Sequence, residues 1–246
     1  MENALAAVPE GSTREETISF LKAQIAQFNN PNRGVQRSHL PGVTAVGAWQ
    51  EIIGTEGLPR HKVTQLDGSM QGLMGCIAGI SAADQTIALV GFPDASWSAA
   101  YELGAKLDNL VWVPHPGPDS LGIAMVLAAG FDLVVVDCAD TFLTPQKVQR
   151  YESKIREADG TLLVMHTSWS QAALHISTEL IAGEGMQHGY GRLSTLTFRV
   201  DIHKKQSPPR TLQWTIGRPS YDVALPVQTV QSVPSRPKQV VLSHAI

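Results

Sequence analysis

The sequence predicts an α/β fold: a mostly parallel sheet flanked by helices, preceded by an N-terminal helix and closed by an antiparallel hairpin and a tail. Three observations carry this. Short, near-continuous apolar runs such as Leu133-Val134-Val135-Val136 read as strands buried on both faces. Segments of helical character separate them at regular intervals, the order that builds a parallel sheet. Two later runs, Ser194 to His203 and Thr211 to Ile216, alternate polar and apolar residues around Gln206-Ser207-Pro208-Pro209, the pattern of an antiparallel hairpin.

The elements follow in order. Ser12 and Glu15 have capping-box spacing, and Ile18, Leu21, Ile25 and Phe28 recur at helical intervals, which predicts a helix from Thr13 to Phe28. Asn29-Asn30-Pro31-Asn32 ends it, and a polar arm runs on to Leu40-Pro41-Gly42. A short helix is expected over Ala48 to Ile53. Strands are expected at Val63–Leu66, Thr86–Val90, Leu110–Val113, Leu133–Asp137 and Thr161–His166. Between them lie helices from near Gly72, over Trp97–Leu103 and Asp119–Ala129, and from Pro145 to Ala158, where proline suits the first helical position. After Trp169 the composition suggests a helix and then a glycine-rich stretch, Gly183 to Gly191. From Arg218 onward no periodicity is evident, which predicts a mobile tail or a peptide that folds on a partner. The resulting organisation is an N-terminal helix and arm (1–47), a core (48–217) and a flexible tail (218–246).

Composition bounds the function. With 246 residues, 43% hydrophobic and 17% charged, the chain can bury a large core. Its longest apolar stretch, Leu121 to Phe131, is too short to span a bilayer. The opening Met-Glu-Asn-Ala-Leu lacks the features of a secretory leader, so a cytoplasmic protein without membrane contact is expected. Cys76 and Cys138 sit in apolar runs, which suits neither a disulfide framework nor a zinc site. Charge is lopsided: from Arg192 onward eight basic residues meet two acidic ones, whereas the preceding chain carries 11 basic and 20 acidic residues. A basic end on an acidic body suits phosphate or an acidic protein surface, and equally a solvated face without a partner.

The segment Asp67-Gly68-Ser69-Met70-Gln71-Gly72-Leu73-Met74 stands between a strand and a helix, the setting of a phosphate-binding loop. Against G-x-x-x-x-G-K-[ST], Gly72 fits the second glycine. Asp67 replaces the first, Leu73 the phosphate-binding lysine, and Met74 the hydroxyl that holds magnesium. A thioether is a poor ligand for a hard cation, and the Asp67 carboxylate would repel a polyphosphate. Val134-Val135-Val136-Asp137 has the form of the strand whose acid supports the metal. With no metal to serve, Asp137 is expected to bond backbone amides at the strand end. No cofactor or metal is expected. His166 beside Cys138 lacks the orienting group of a nucleophilic pair, and Gly68-Ser69-Met70-Gln71-Gly72 is not a hydrolase elbow.

Taken together, Gly57-Leu58-Pro59-Arg60, Lys62 to Leu66, the degenerate loop, Tyr101-Glu102-Leu103-Gly104, Asp108 to Val111, Phe131 to Asp137 and Thr161 to Val164 resemble a RecA-type ATPase core over residues 50 to 205. The family's catalytic glutamate falls on Phe92, with Pro93 beside it and Asp94 shifted; its γ-phosphate sensor falls on Thr167 and Ser168. Among RecA-like proteins that have lost the ATPase, the chain is most similar to the ImuA family, including the actinobacterial ImuA′ type. That resemblance implies a non-catalytic adaptor of DNA-damage-induced (SOS) translesion synthesis. Its partners would be the ImuB-like Y-family polymerase homologue and other mutasome proteins, with weak DNA contact through the basic C-terminal region. The alternative is a SulA-like cell-division inhibitor that binds FtsZ. Candidate partner-binding residues are Ile18, Leu21 and Ile25 on the first helix, which dock a neighbour or pack on their own domain, and Val240, Val241 and Leu242 in the tail. Trp169 is a further candidate, the competing reading being that it is simply buried.

Overall fold

The structure is a computed structural model that describes residues 6–7, 16, 19–20, 23, 42–139, 141–158, 160–187, 190–205, 207–217 and 227–233. Its elements in chain order are β1 (Ala6–Ala7), β2 (Gly42–Val43), α1 (Ala48–Ile53), β3 (Leu58–Pro59), β4 (Val63–Gly68), α2 (Met70–Ala82), β5 (Ile87–Val90) and α3 (Trp97–Glu102). They continue with β6 (Leu110–Val113), α4 (Ser120–Leu127), β7 (Leu133–Asp137), α5 (Pro145–Glu157), β8 (Thr161–Met165), β9 (Leu174–Gln187), β10 (Tyr190–Lys204), β11 (Arg210–Gly217) and β12 (Val227–Ser232).

Among the described residues ten strands form one sheet in the order β1-β6-β5-β7-β8-β4-β9-β10-β11-β12, and β2 pairs with β3 apart from it. Pairing is parallel from β1 through β9 and antiparallel among β9, β10, β11 and β12. Period-two alternation divides each buried strand between two apolar layers. Ile87 and Leu89, Leu133 and Val135, and Leu163 and Met165 join one layer; Ala88 and Val90, Val134 and Val136, and Leu162 and Val164 join the other. Helices α1, α2 and α3 cover the first layer, and α4 and α5 the second.

Two features lock the layers. At the amino end of the strands, Asp132 Oδ1 accepts from the Arg60 guanidinium at 3.1 Å, while its Oδ2 accepts from the Thr86 N–H and hydroxyl at 2.9 and 2.8 Å. A buried charge pair of this kind is tolerated because its remaining lone pairs are satisfied. Within the first layer, Trp49 of α1 and Trp214 of β11 meet edge to face, 5.7 Å between ring centres. Both reach α2 at Gly75, where a Cβ would lie 2.4–2.6 Å from their ring atoms.

The structure corrects two expectations. The stretch after Trp169 is the 14-residue strand β9, where a helix and a glycine-rich loop were expected. Leu174, Ile176 and Thr178 point into the buried layer, and β9 lies between β4 and β10. Residues Val227–Ser232, expected to lack regular structure, form β12 along β11 from Gly217↔Val227 to Leu212↔Ser232. Of the first helix, Glu16, Ser19, Phe20 and Ala23 are described and helical, and Phe20 packs on the second apolar layer. Ile18, Leu21, Ile25, Val240, Val241 and Leu242 lie outside the described residues.

Candidate functional site

The sequence placed its candidate chemistry at the carboxyl ends of β4, β5, β7 and β8. The junction after β4 is far shorter than a phosphate loop. Strand β4 runs to Gly68 and α2 begins at Met70, so Ser69 alone separates them. Gly68 makes the turn with φ +110°, a conformation that favours glycine. Ser69 is the helix N-cap, and its Oγ accepts from the Gly72 N–H at 3.2 Å.

Above this junction sits Thr178 of β9, a residue that sequence reasoning missed. Its Oγ1 accepts from the Ser69 N–H at 3.2 Å and donates to the Asp67 carbonyl at 3.4 Å. A Cβ on Gly68 would lie 2.0 Å from the Thr178 carbonyl oxygen, and one on Gly72 would lie 2.5 Å from Thr178 Oγ1. A phosphate cradle is built from backbone N–H groups that point into open space. Here the Ser69 amide is taken by Thr178, the Gly72 amide by the Ser69 hydroxyl, and the Leu73 amide by the Ser69 carbonyl at 3.3 Å. Leu73 and Met74, which stand where the lysine and the magnesium hydroxyl would be, are buried in the first apolar layer. The place of the phosphate loop is a closed strand-to-helix corner.

Asp67 is drawn sideways along the sheet. Its Oδ2 accepts from Gln65 Nε2 at 2.9 Å and lies 2.5 Å from His175 Nε2, whose ring is 6.3 Å from that of His203. Gln65 in turn accepts from the Trp169 N–H at 2.8 Å. Trp169 itself is 3% exposed, and its indole N–H donates to Glu152 of α5 at 2.7 Å. This corrects the reading of Trp169 as a surface contact: its ring is an anchor between α5 and the second apolar layer.

Asp137, at the end of β7, bonds a backbone amide as expected: Oδ1 accepts from the Ala139 N–H at 2.9 Å. The same oxygen lies 2.9 Å from His166 Nδ1. His166 has φ 55°, and its ring faces Phe92 across 6.3 Å. Phe92 is buried with φ 83°, and its carbonyl accepts from Trp112 Nε1 at 3.2 Å. An apolar ring thus stands where the resemblance puts a catalytic carboxylate. Asp94 is exposed on the following turn, Thr167 is half-buried and Ser168 exposed. Burial, and next to it the Asp137 charge, push the Cys138 thiol up to about 12, far from the thiolate range that nucleophilic sulfur needs. Among the described residues no three His, Cys, Asp or Glu side chains gather as a metal site, and no helix is long and apolar enough to cross a membrane.

Two of the described cations of the basic C-terminal region, Arg199 and Lys204, are paired with carboxylates within the fold. Arg199 pairs with Glu179 and, at 3.5 Å, with Asp201; Lys204 pairs with Glu56 at 2.8 Å; Arg210 donates to the Glu51 carbonyl at 3.1 Å. The Lys204 ammonium holds the Glu56 carboxyl below its usual range.

A family model described as the MT3502 N-terminal domain matches residues 51–171. The uncharacterized protein Rv3395c of Mycobacterium tuberculosis (strain ATCC 25618 / H37Rv) is 32% identical over 155 residues, which cover 60% of this chain and 76% of that protein. The matched family segment runs from α1 to just past Trp169, so it contains both Asp67 and Asp137 but not Thr178.

Proposed function

We propose, from the premise that the chain belongs to the family of the MT3502 N-terminal domain and Rv3395c, that it is a non-catalytic RecA-like adaptor acting through its outer surfaces. The observation that carries this reading is the seat of Thr178 at the β4–α2 corner: the amides that would hold a phosphate are occupied, and the lysine position is turned into the core. Further support comes from the strand order. If β4 is counted as the first strand of the core and β8 as the fifth, they lie in the order three-two-four-five-one, with the former phosphate strand next to the fifth. A fold of that order with its pocket closed leaves recognition as the work of the molecule.

In the setting that the ImuA resemblance implies, the partners are an ImuB-like Y-family polymerase homologue and other proteins of a translesion mutasome. The test has two arms. Calorimetry of the full chain with Mg-ATP should show no heat and no thermal shift; binding tighter than about a millimolar, a little over 4 kcal/mol, would remove the closed-pocket reading. Co-purification with the ImuB-type protein from the same genome should succeed; capture of FtsZ in its place, with filamentation on expression, would favour division control.

A further inference from the structure

A run of exposed cations lies on α5, away from the C-terminal region, with the exposed Glu157 at its far end. Lys147, Arg150, Lys154 and Arg156 are all exposed there. None of them pairs with a carboxylate among the described residues: Lys147 Nζ donates to the Phe142 carbonyl at 3.2 Å, Lys154 Nζ lies 5.9 Å over the Tyr151 ring, and Arg156 donates to Ser153 Oγ at 3.1 Å. At 100° per residue, Lys147, Arg150 and Lys154 fall within one sixth of a turn, a stripe roughly 10 Å long at 1.5 Å per residue. Buried Val148, Glu152 and Ile155 hold the opposite side of the helix against the core, which fixes the direction the stripe faces. At its head, on the loop between β7 and α5, stands Phe142, the most exposed large apolar side chain described, at 80%.

We infer that this surface, Phe142 with Lys147, Arg150 and Lys154, binds single-stranded nucleic acid. The charges suit a phosphate backbone, and a protruding aromatic ring offers a face on which a base can stack. An apolar peptide anchor needs a concave seat, whereas Phe142 is convex and its carbonyl is tied to the neighbouring cation. The inference does not depend on the adaptor reading, since it uses neither the closed corner nor the family. It also moves the expected nucleic-acid contact from the C-terminal strands, where Arg199 and Lys204 are paired with carboxylates, to the α5 face.

The experiment is fluorescence anisotropy of the full chain with a labelled oligo-dT of about 15 nucleotides, titrated with salt from about 50 mM upward. Wild-type protein should bind with a steep salt dependence. The triple variant Lys147→Ala, Arg150→Ala, Lys154→Ala should lose at least about tenfold in affinity, and its salt slope should fall by about two, at roughly 0.7 for each phosphate no longer neutralised. Phe142→Ala should weaken binding several-fold and leave the slope unchanged, because stacking releases no counterions. Lys204→Ala with Arg210→Ala should have little effect. All these side chains are exposed, so circular dichroism should show unchanged folding. Absence of wild-type binding at the lowest salt, equal binding by the triple variant, or equally effective competition by polyglutamate would overturn the assignment, the last in favour of an acidic protein partner.

Discussion

The carboxyl ends of β4 and of the β7–β8 pair hold equivalent places in the parallel sheet, yet they differ in how they are finished. After β4 the chain turns at once into a helix, and a buried threonine from β9 fills the corner. After β7 and β8 the ends remain open, with Asp137 and His166 partly exposed and bonded to each other. On the proposed reading, the closure of the phosphate corner involves more than the absent lysine. The backbone turns tightly, and a side chain 109 residues away in sequence holds the Ser69 amide. The open end shows what the same sheet looks like without such a plug.

Four substitutions measure the contrast. Gly68→Ala combines a left-handed backbone with a Cβ overlapping the Thr178 carbonyl, and should cost about 2–4 kcal/mol in denaturant unfolding; a loss below about 0.5 would show that the corner is slack. Thr178→Val keeps the shape but leaves the Ser69 N–H without its acceptor, so about 1–2 kcal/mol should be lost, with no gain in Mg-ATP binding because Leu73 stays in the core. If that variant bound nucleotide, Thr178 alone would have been the barrier. Ser69→Ala removes the N-cap of a 13-residue helix and should cost about 1 kcal/mol. His166→Asn, a residue that accepts the left-handed backbone, should change stability by no more than about 0.5 kcal/mol, since its carboxylate partner is solvated. A large effect there would place the Asp137–His166 pair among the elements that hold the sheet together.

Much of the parallel core was legible because each strand carries its own signal. The expected boundaries of Ala48–Ile53, Leu110–Val113 and Leu133–Asp137 are those observed, where apolar runs meet strong turn or capping residues. The failures share a cause of another kind. Strand β9 contains Glu179, Leu180 and Ala182, good helix formers, and two glycines. Its true signal, apolar or buried residues at 174, 176 and 178, is a period of two spread over only five residues. Strand β12, Val-Gln-Thr-Val-Gln-Ser, has little alternation of its own and exists by pairing with β11. At the candidate site, the missing lysine and hydroxyl were readable from Leu73 and Met74. The occupant of the space was not, since Thr178 reaches Ser69 only through tertiary pairing of β9 with β4. Trp169 was left open between a surface contact and a buried ring for the same reason: its partner Glu152 lies on a helix whose local pattern gives no hint of an indole.

The interlock of Trp49 and Trp214 over Gly75 has a consequence for biosynthesis. A ring supplied just before β2's partner strand and one supplied 165 residues later must be present together for that layer to close. During translation the early helices thus emerge with an incomplete interior, and Trp214 arrives only after all the parallel strands have been made. A nascent chain halted before β11 would display the uncovered side of α2 to chaperones, so closure of this layer is timed by the synthesis of β11.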